Sequence, residues 1–303
     1  MKKFSLLLLL GSTAFSLNIH GQELESSDSM FSGVLYSRIG VGYEKATSYH
    51  AGSNSFASAV FANNNGEYTF FSQSLDLVYA TRSGLYIASG LYSSAAEVKT
   101  DGLGLGVPNT DSGIRLREIP LALGFDTMLN DVGLRFEARY IFNVDDDFDR
   151  PLSEALSNAV ILPVTDGADS LTLSARGRKD ILGTENSLLL GYQIYESDVS
   201  HPLFPRFSLG NRLIIDYEIA KVFGDLRLSL GHLYSNSRQT KGDPSPITGT
   251  AYLTEKPRFS EVRVGAMYRF TSGFFLDGGV RYIYDGSDAP KQRTFFVGGA
   301  VLF

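Results

Sequence analysis

The chain has 303 residues and a formal net charge of −6, with no cysteine and no tryptophan but 31 glycines, 16 tyrosines and 21 phenylalanines. Without cysteine there is neither a disulfide framework nor thiolate chemistry, and no nucleic-acid partner or cofactor is expected. A mean hydropathy of −0.03 argues against a bundle of membrane helices, yet it suits strands that alternate apolar and polar side chains.

Lys2 and Lys3 precede an apolar run from Phe4 to Leu10, and small residues follow. That is the pattern of a secretory signal peptide, too short to span a bilayer. Cleavage is expected after Gly21, with Ser16 as the alternative, and with no cysteine near the cut a lipoprotein anchor is excluded. Losing Lys2 and Lys3 from the 27 basic residues leaves 25 against 33 acidic ones. The expected division is a signal peptide at 1–21, a periplasmic leader at 22–32 and one barrel domain at 33–303. No other apolar run reaches the roughly 18 residues of a transmembrane helix.

Past the leader, alternating segments repeat to the end. They predict strands at 33–45, 67–80, 84–95, 113–127, 132–143, 170–181, 186–197, 209–222, 225–236, 259–270, 273–284 and 293–303. One parity of each is apolar, as in Leu121, Leu123 and Phe125, or Leu134, Phe136, Ala138, Tyr140 and Phe142, or Val262, Val264, Ala266, Tyr268 and Phe270. Connections alternate short (81–83, 128–131, 182–185, 223–224, 271–272) with longer (96–112, 144–169, 198–208, 237–258, 285–292). Short turns on one side, longer loops on the other and an even strand number are the plan of an outer-membrane barrel. The fold class expected is therefore all-β: a closed antiparallel transmembrane β-barrel of about twelve strands, wound as an up-and-down meander. Its place is the outer membrane of a Gram-negative bacterium. The last strand puts Phe295, Val297, Gly299, Val301 and Phe303 on one face. Such an ending resembles the terminal strand that the barrel-assembly machinery reads, so Phe303 is the candidate assembly signal.

The inward parity is polar. It carries Arg38, Arg135, Arg139, Arg176, Arg178, Arg212, Arg227, Arg263, Arg269 and Arg281 against Asp76, Glu118, Asp126, Glu137, Asp216, Glu218, Glu261 and Asp277. The candidate pore lining is Arg38, Asp76, Glu118, Arg135, Glu137, Arg139, Arg176, Arg178, Asp216, Glu218, Arg263, Asp277 and Arg281. Arg135, Arg139, Arg176 and Arg178 form a basic arc with Glu137 as the one acid beside it. Tyr43, Tyr79, Phe125, Phe142, Tyr195, Phe223, Tyr234, Phe270 and Tyr284 cluster toward strand ends, as two interfacial girdles would. Twelve strands about 4.8 Å apart and tilted about 40° make a barrel roughly 24 Å across, with a waist of about 10 Å or less.

Other constellations carry less. Leu152, Ala155, Leu156, Ala159 and Val160 make one helical stripe after Pro151, either a constriction folded into the pore or a short helix over its mouth. Asp145, Asp146, Asp147 and Asp149 could hold divalent ions, but their spacing fits no calcium loop, and a solvated loop is the plainer reading. No metal-ligand cluster is visible. The glycines of 102–106 lack the following helix that a dinucleotide fingerprint needs. His232 and Ser235 resemble the His and Ser of outer-membrane phospholipases and lipid A deacylases. There the two stand two residues apart; here they stand three apart, which puts them on opposite faces of a regular strand.

The whole mature chain resembles small outer-membrane channel proteins. Its second half, SLGNRLIIDYEI at 208–219, GHLYSNSRQTKGD at 231–243 and VRVGAMYRF at 262–270, is similar to the phenol meta-cleavage-pathway outer-membrane family. The resemblance implies a transporter role and carries no substrate. The function expected is a channel for passive passage of small polar or anionic solutes, with no enzymatic activity. A non-conducting structural or adhesive barrel is the alternative, and a lipid hydrolase the third reading. Partners expected are outer-membrane lipid and lipopolysaccharide, the barrel-assembly machinery and small solutes.

Overall fold

The computed structural model describes residues 34–50, 67–81, 83–99, 110–111, 114–144, 169–196, 199–201, 204–208, 210–238, 241–242, 258–271, 273–287 and 289–303. The expected signal peptide and leader, the acidic run at 145–149, the stripe at 151–160 and the glycines of 102–106 lie outside them. Twelve long strands stand among the described residues. In chain order they are β1 (Val34–His50), β2 (Glu67–Ala80), β3 (Leu85–Lys99), β4 (Arg115–Leu129), β5 (Val132–Asn143) and β6 (Ser170–Ile181). There follow β7 (Thr184–Tyr195), β8 (Arg212–Phe223), β9 (Leu226–Ser237), β10 (Arg258–Thr271), β11 (Phe274–Ser287) and β12 (Ala289–Leu302). Each pairs antiparallel with its sequence neighbours, and β1 pairs with both β2 and β12, so the sheet closes into a barrel. The meander read from the alternation is the fold.

Local chemistry explains the turns at the end where the chain enters β1 and leaves β12. Leu182 and Gly183, joining β6 to β7, both have positive φ (52° and 76°), the twist that closes a two-residue hairpin. Gly224 (φ 64°) does the same before β9, and Asn130 (φ 57°) before β5. At the opposite end β3 is extended by a two-residue pairing with Thr110–Asp111. Val199–His201, Phe204–Ser208 and Lys241–Gly242 form a separate small sheet there. The expected loop at 285–292 is almost absent, because β11 runs to Ser287 and β12 begins at Ala289. Likewise β1 runs to His50, five residues past the expected end at 45.

The two faces of the sheet differ in chemistry. Ile39, Ile87, Leu123, Leu230, Val264 and Phe295 are exposed on the outside, while the other parity is buried inside. An apolar face of this extent would be an aggregation hazard in water, whereas against lipid tails it is the solvated surface. The shortest strands have twelve residues. At about 3.3 Å per residue and about 40° of tilt these rise roughly 30 Å, enough for an apolar band about 25 Å tall. Tyr43, Tyr79, Phe125, Phe142, Phe223, Phe270 and Tyr284 stand outward near strand ends, as expected of girdles. Tyr195 does not: its hydroxyl donates to Gln193 Oε1 at 3.1 Å and the Arg212 guanidinium lies over its ring, so it faces inward.

Candidate functional site: the barrel interior

Inward side chains reach partners across intervening strands. Arg38 on β1 donates to Asp277 on β11 through Nη2 (2.8 Å) and Nε (3.3 Å), passing over β12. On its other side Arg38 lies 3.7 Å from Asp76 on β2, whose Oδ1 accepts from the Tyr92 hydroxyl on β3 at 2.8 Å. One network therefore ties β11, β12, β1, β2 and β3. A second ties β7 to β10. Arg263 donates to Asp216 across β9. Arg227 donates to Glu218 at 2.7 Å and to Glu185, across β8, at 2.9 Å. The third joins β3, β4 and β5. Arg135 forks onto both oxygens of Asp126 (2.8 and 3.0 Å) with the Tyr86 ring beneath it. The Tyr86 hydroxyl donates to Glu137 at 2.6 Å, and Glu137 also accepts from Arg139.

These crossings work because the strand beneath has no side chain in the way. A Cβ on Gly298 would lie 2.7 Å from Arg38 Nη2 and 2.8 Å from Asp277 Oδ1. One on Gly231 would lie 2.8 Å from Arg263 Nη2, and one on Gly124 would lie 2.2 Å from the Tyr86 ring. Each glycine floors a bridge. Among the described residues, two apolar clusters complete the interior. One, at the short-turn end, joins Tyr36, Val78, Tyr86, Met267 and Phe275. The other, toward the long-loop end, joins Leu189, Ile214, Leu233, Phe259 and Ile283.

All thirteen residues proposed from the sequence stand on the inward parity. Arg38, Asp76 and Asp277 meet in the first network; Asp216, Glu218 and Arg263 belong to the second; Arg135, Glu137 and Arg139 belong to the third. Glu118 is buried on β4 beside Tyr92 and Asn143 in register. Arg176 lies opposite Arg135, and Arg178 opposite Gly133, both half-buried. Arg281 stacks over the Phe296 ring at 5.1 Å. The basic arc is corrected in one respect. Glu137 is not its one acid, since Asp126 grips Arg135 from the neighbouring strand, a hairpin contact that a parity list cannot rank. Two buried charges, Arg117 and Glu44, and the partly buried Glu185 escaped the reading. Arg117, 1% exposed, turns inward beside Glu118 because a bulge shifts the β3–β4 register between Tyr92 and Ser93. The signal was there: Leu116 and Leu121 are apolar at opposite parities, which a bulge must separate. Glu44 accepts from Gln292, and Glu185, read as part of a turn, is the start of β7.

Outside the span, the Lys179 amine lies 2.9 Å from Asp131 and holds that carboxyl below its ordinary range. His232 and Ser235 sit on opposite faces of β9, and no bulge interrupts its pairing there. His232 is exposed and shares a 2.9 Å hydrogen bond with the Tyr284 hydroxyl, while Ser235 is buried inside. They form no catalytic pair.

The barrel is similar to the COG4313 outer membrane channel from Pseudomonas putida F1, with a TM-score of 0.71 at 15% identity over 93% of this chain and 100% of that one. It is also similar to the translocator domain of autotransporter NalP from Neisseria meningitidis, with a TM-score of 0.51 at 11% identity over 89% and 88% of the two chains. No protein-family model and no curated protein matches the sequence. At such identities the likeness is one of fold. It is the fold of an outer-membrane β-barrel, and the first of these barrels is consistent with the phenol meta-cleavage-pathway resemblance of the second half.

Proposed function

We propose that the protein is a channel of the Gram-negative outer membrane that passes small polar or anionic solutes without input of energy. Residues 1–21 act as the export signal and 22–32 as a periplasmic leader. Membrane lipid and lipopolysaccharide surround the outward face, and the barrel-assembly machinery docks on β12 through Phe303. The observation that carries the reading is the inward parity of a closed barrel, set with fixed charges of both signs on every side. Fixed charge along a narrow, low-dielectric passage selects solutes by field, and guanidinium forks favour carboxylate and phosphate groups. Pairing modifies that field. Arg135 and Arg139 are engaged by Asp126 and Glu137, so the arc acts as oriented ion pairs rather than as bare positive charge.

The same pairing favours a second reading, a structural barrel that conducts nothing, because inward ladders also hold a closed barrel together. Current through the folded protein in planar bilayers separates the two. Step currents are expected from the wild type. Arg176→Glu should move the reversal potential in a salt gradient toward cations, and salt should weaken the shift as the screening length falls to about 3 Å at 1 M. Arg135→Glu should instead lower folded yield, since it leaves Asp126 facing a like charge. Silence of the wild type at every voltage would remove the channel and leave the structural barrel.

A further inference from the structure

Three deeply buried polar side chains stand outside the interior ion-pair networks, on adjacent strands toward the long-loop end. Ser235 on β9, Glu261 on β10 and Arg281 on β11 are 1%, 2% and 5% exposed. Ser235 Oγ, Glu261 Oε1, and Nε and Nη1 of Arg281 have no hydrogen-bond partner. The register gathers them into one patch. Ser235 lies opposite Phe259 and Glu261 opposite Leu233 across β9 and β10; Glu261 lies opposite Ile283 and Arg281 opposite Arg263 across β10 and β11. Glu261 and Arg281 are diagonal neighbours on the inner face of β10 and β11, and the neighbouring Arg263 is engaged by Asp216. Leu233, Phe259 and Ile283 form an apolar wall around them.

A carboxylate and a guanidinium withdrawn from water lose hydration that a loose attraction does not replace; they call for direct hydrogen bonds. Arg281 offers a donor fork shaped for a carboxylate. Glu261 accepts from a cation or N–H, and Ser235 can do either. Leu233, Phe259 and Ile283 supply the hydrocarbon that an apolar body would meet beside these groups. A single small molecule meets all of this if it carries a carboxylate, an ammonium and a short hydrocarbon side chain. We propose that Ser235, Glu261 and Arg281 form a binding station for α-amino acids with apolar side chains, placed between the long-loop end and the middle of the lumen. The station rests on the channel reading and specifies the solute class for it.

The test uses the full mature chain folded into liposomes, with labelled leucine and labelled ribose offered together. Leucine entry should saturate and phenylalanine should compete with it, while ribose entry rises in proportion to its concentration and normalises for folded protein. Two single-charge analogues, 4-methylpentanoate and isoamylamine, should compete about tenfold more weakly than phenylalanine, the cost of one lost charge-assisted hydrogen bond. Arg281→Lys, which keeps the charge and loses the fork, and Glu261→Gln should each weaken phenylalanine competition by about tenfold relative to ribose. Ribose entry with unsaturable leucine entry, or equal competition by the single-charge analogues, overturns the station and leaves the channel. Entry of neither solute overturns the channel. Equilibrium dialysis of leucine against the barrel in detergent then decides the station: saturable binding that Arg281→Lys weakens supports it, and no binding ends it.

Discussion

Gly298, Gly231 and Gly124 are single residues through which neighbouring strands communicate. A methyl group at Gly298 would intrude on both Arg38 and Asp277, which are already fixed by two hydrogen bonds. Gly298→Ala should therefore cost about 1–3 kcal/mol, the range for breaking hydrogen bonds of a buried charged pair. Gly191→Ala on β7, where the nearest atom would be 3.5 Å away, should cost much less. Urea unfolding of the refolded barrel in micelles measures both. Leu182 makes the opposite case. It is 99% exposed and held at a φ of 52°, where a branched side chain gains no contact and crowds its own backbone. Leu182→Asn, which completes an Asn-Gly hairpin turn with Gly183, should raise the same unfolding free energy by about 0.5–1 kcal/mol.

Elements here are strands with two solvents, and each obeys whichever it meets. β10 turns Val264 outward, 58% exposed at mid-strand, and Arg263 inward against Asp216. An arginine is thus tolerated at one position and forbidden at the next. Val264→Arg should cost about 2–4 kcal/mol, because its charge would lie near the bilayer midplane. Refolding into lipid vesicles, followed by the gel-mobility shift of unheated against heated protein, should show little folded species. Equal folding of the variant would mean that Val264 does not face lipid. β4 shows how such an alternation is rewritten. The bulge opposite Tyr92 and Ser93 lets Arg117 and Glu118 both turn inward, adding a buried charge without lengthening the strand.

At the scale of the whole barrel, closure rests on β1 meeting β12 over a register that runs from Tyr36 opposite Leu302 to His50 opposite Ala289. The Phe303 amide extends this seam by donating to the Leu35 carbonyl at 2.9 Å, while its side chain remains 73% exposed. The ring thus adds little packing to the finished barrel. If it serves the assembly machinery, Phe303→Ala should lower the amount of heat-modifiable protein in cell envelopes severalfold while leaving in vitro refolding into detergent near the wild-type level. Equal loss in both settings would assign Phe303 to stability instead. The bridge from Arg38 to Asp277 fastens the same seam from inside, so closure is secured by backbone pairing and by charge.

The alternation of short and long connections fails at its last member, where one residue joins β11 to β12, but strand number, meander order and facing were legible in the sequence. The reason is physical: one face of every strand meets hydrocarbon and the other meets polar groups, so a period of two is imposed along the whole chain. The same period placed all thirteen candidate lining residues on the inward face and set His232 and Ser235 apart. What it left open is everything that depends on distance around the barrel. Arg38 and Asp277 are separated by 239 positions and meet because β12 lies between their strands with a glycine at the crossing. Asp126 claims Arg135, and Glu261 and Arg281 are left without hydrogen bonds at the named atoms, for reasons of register and rotamer rather than of composition. A parity pattern says which side a residue faces; only the closed sheet decides whom it faces there.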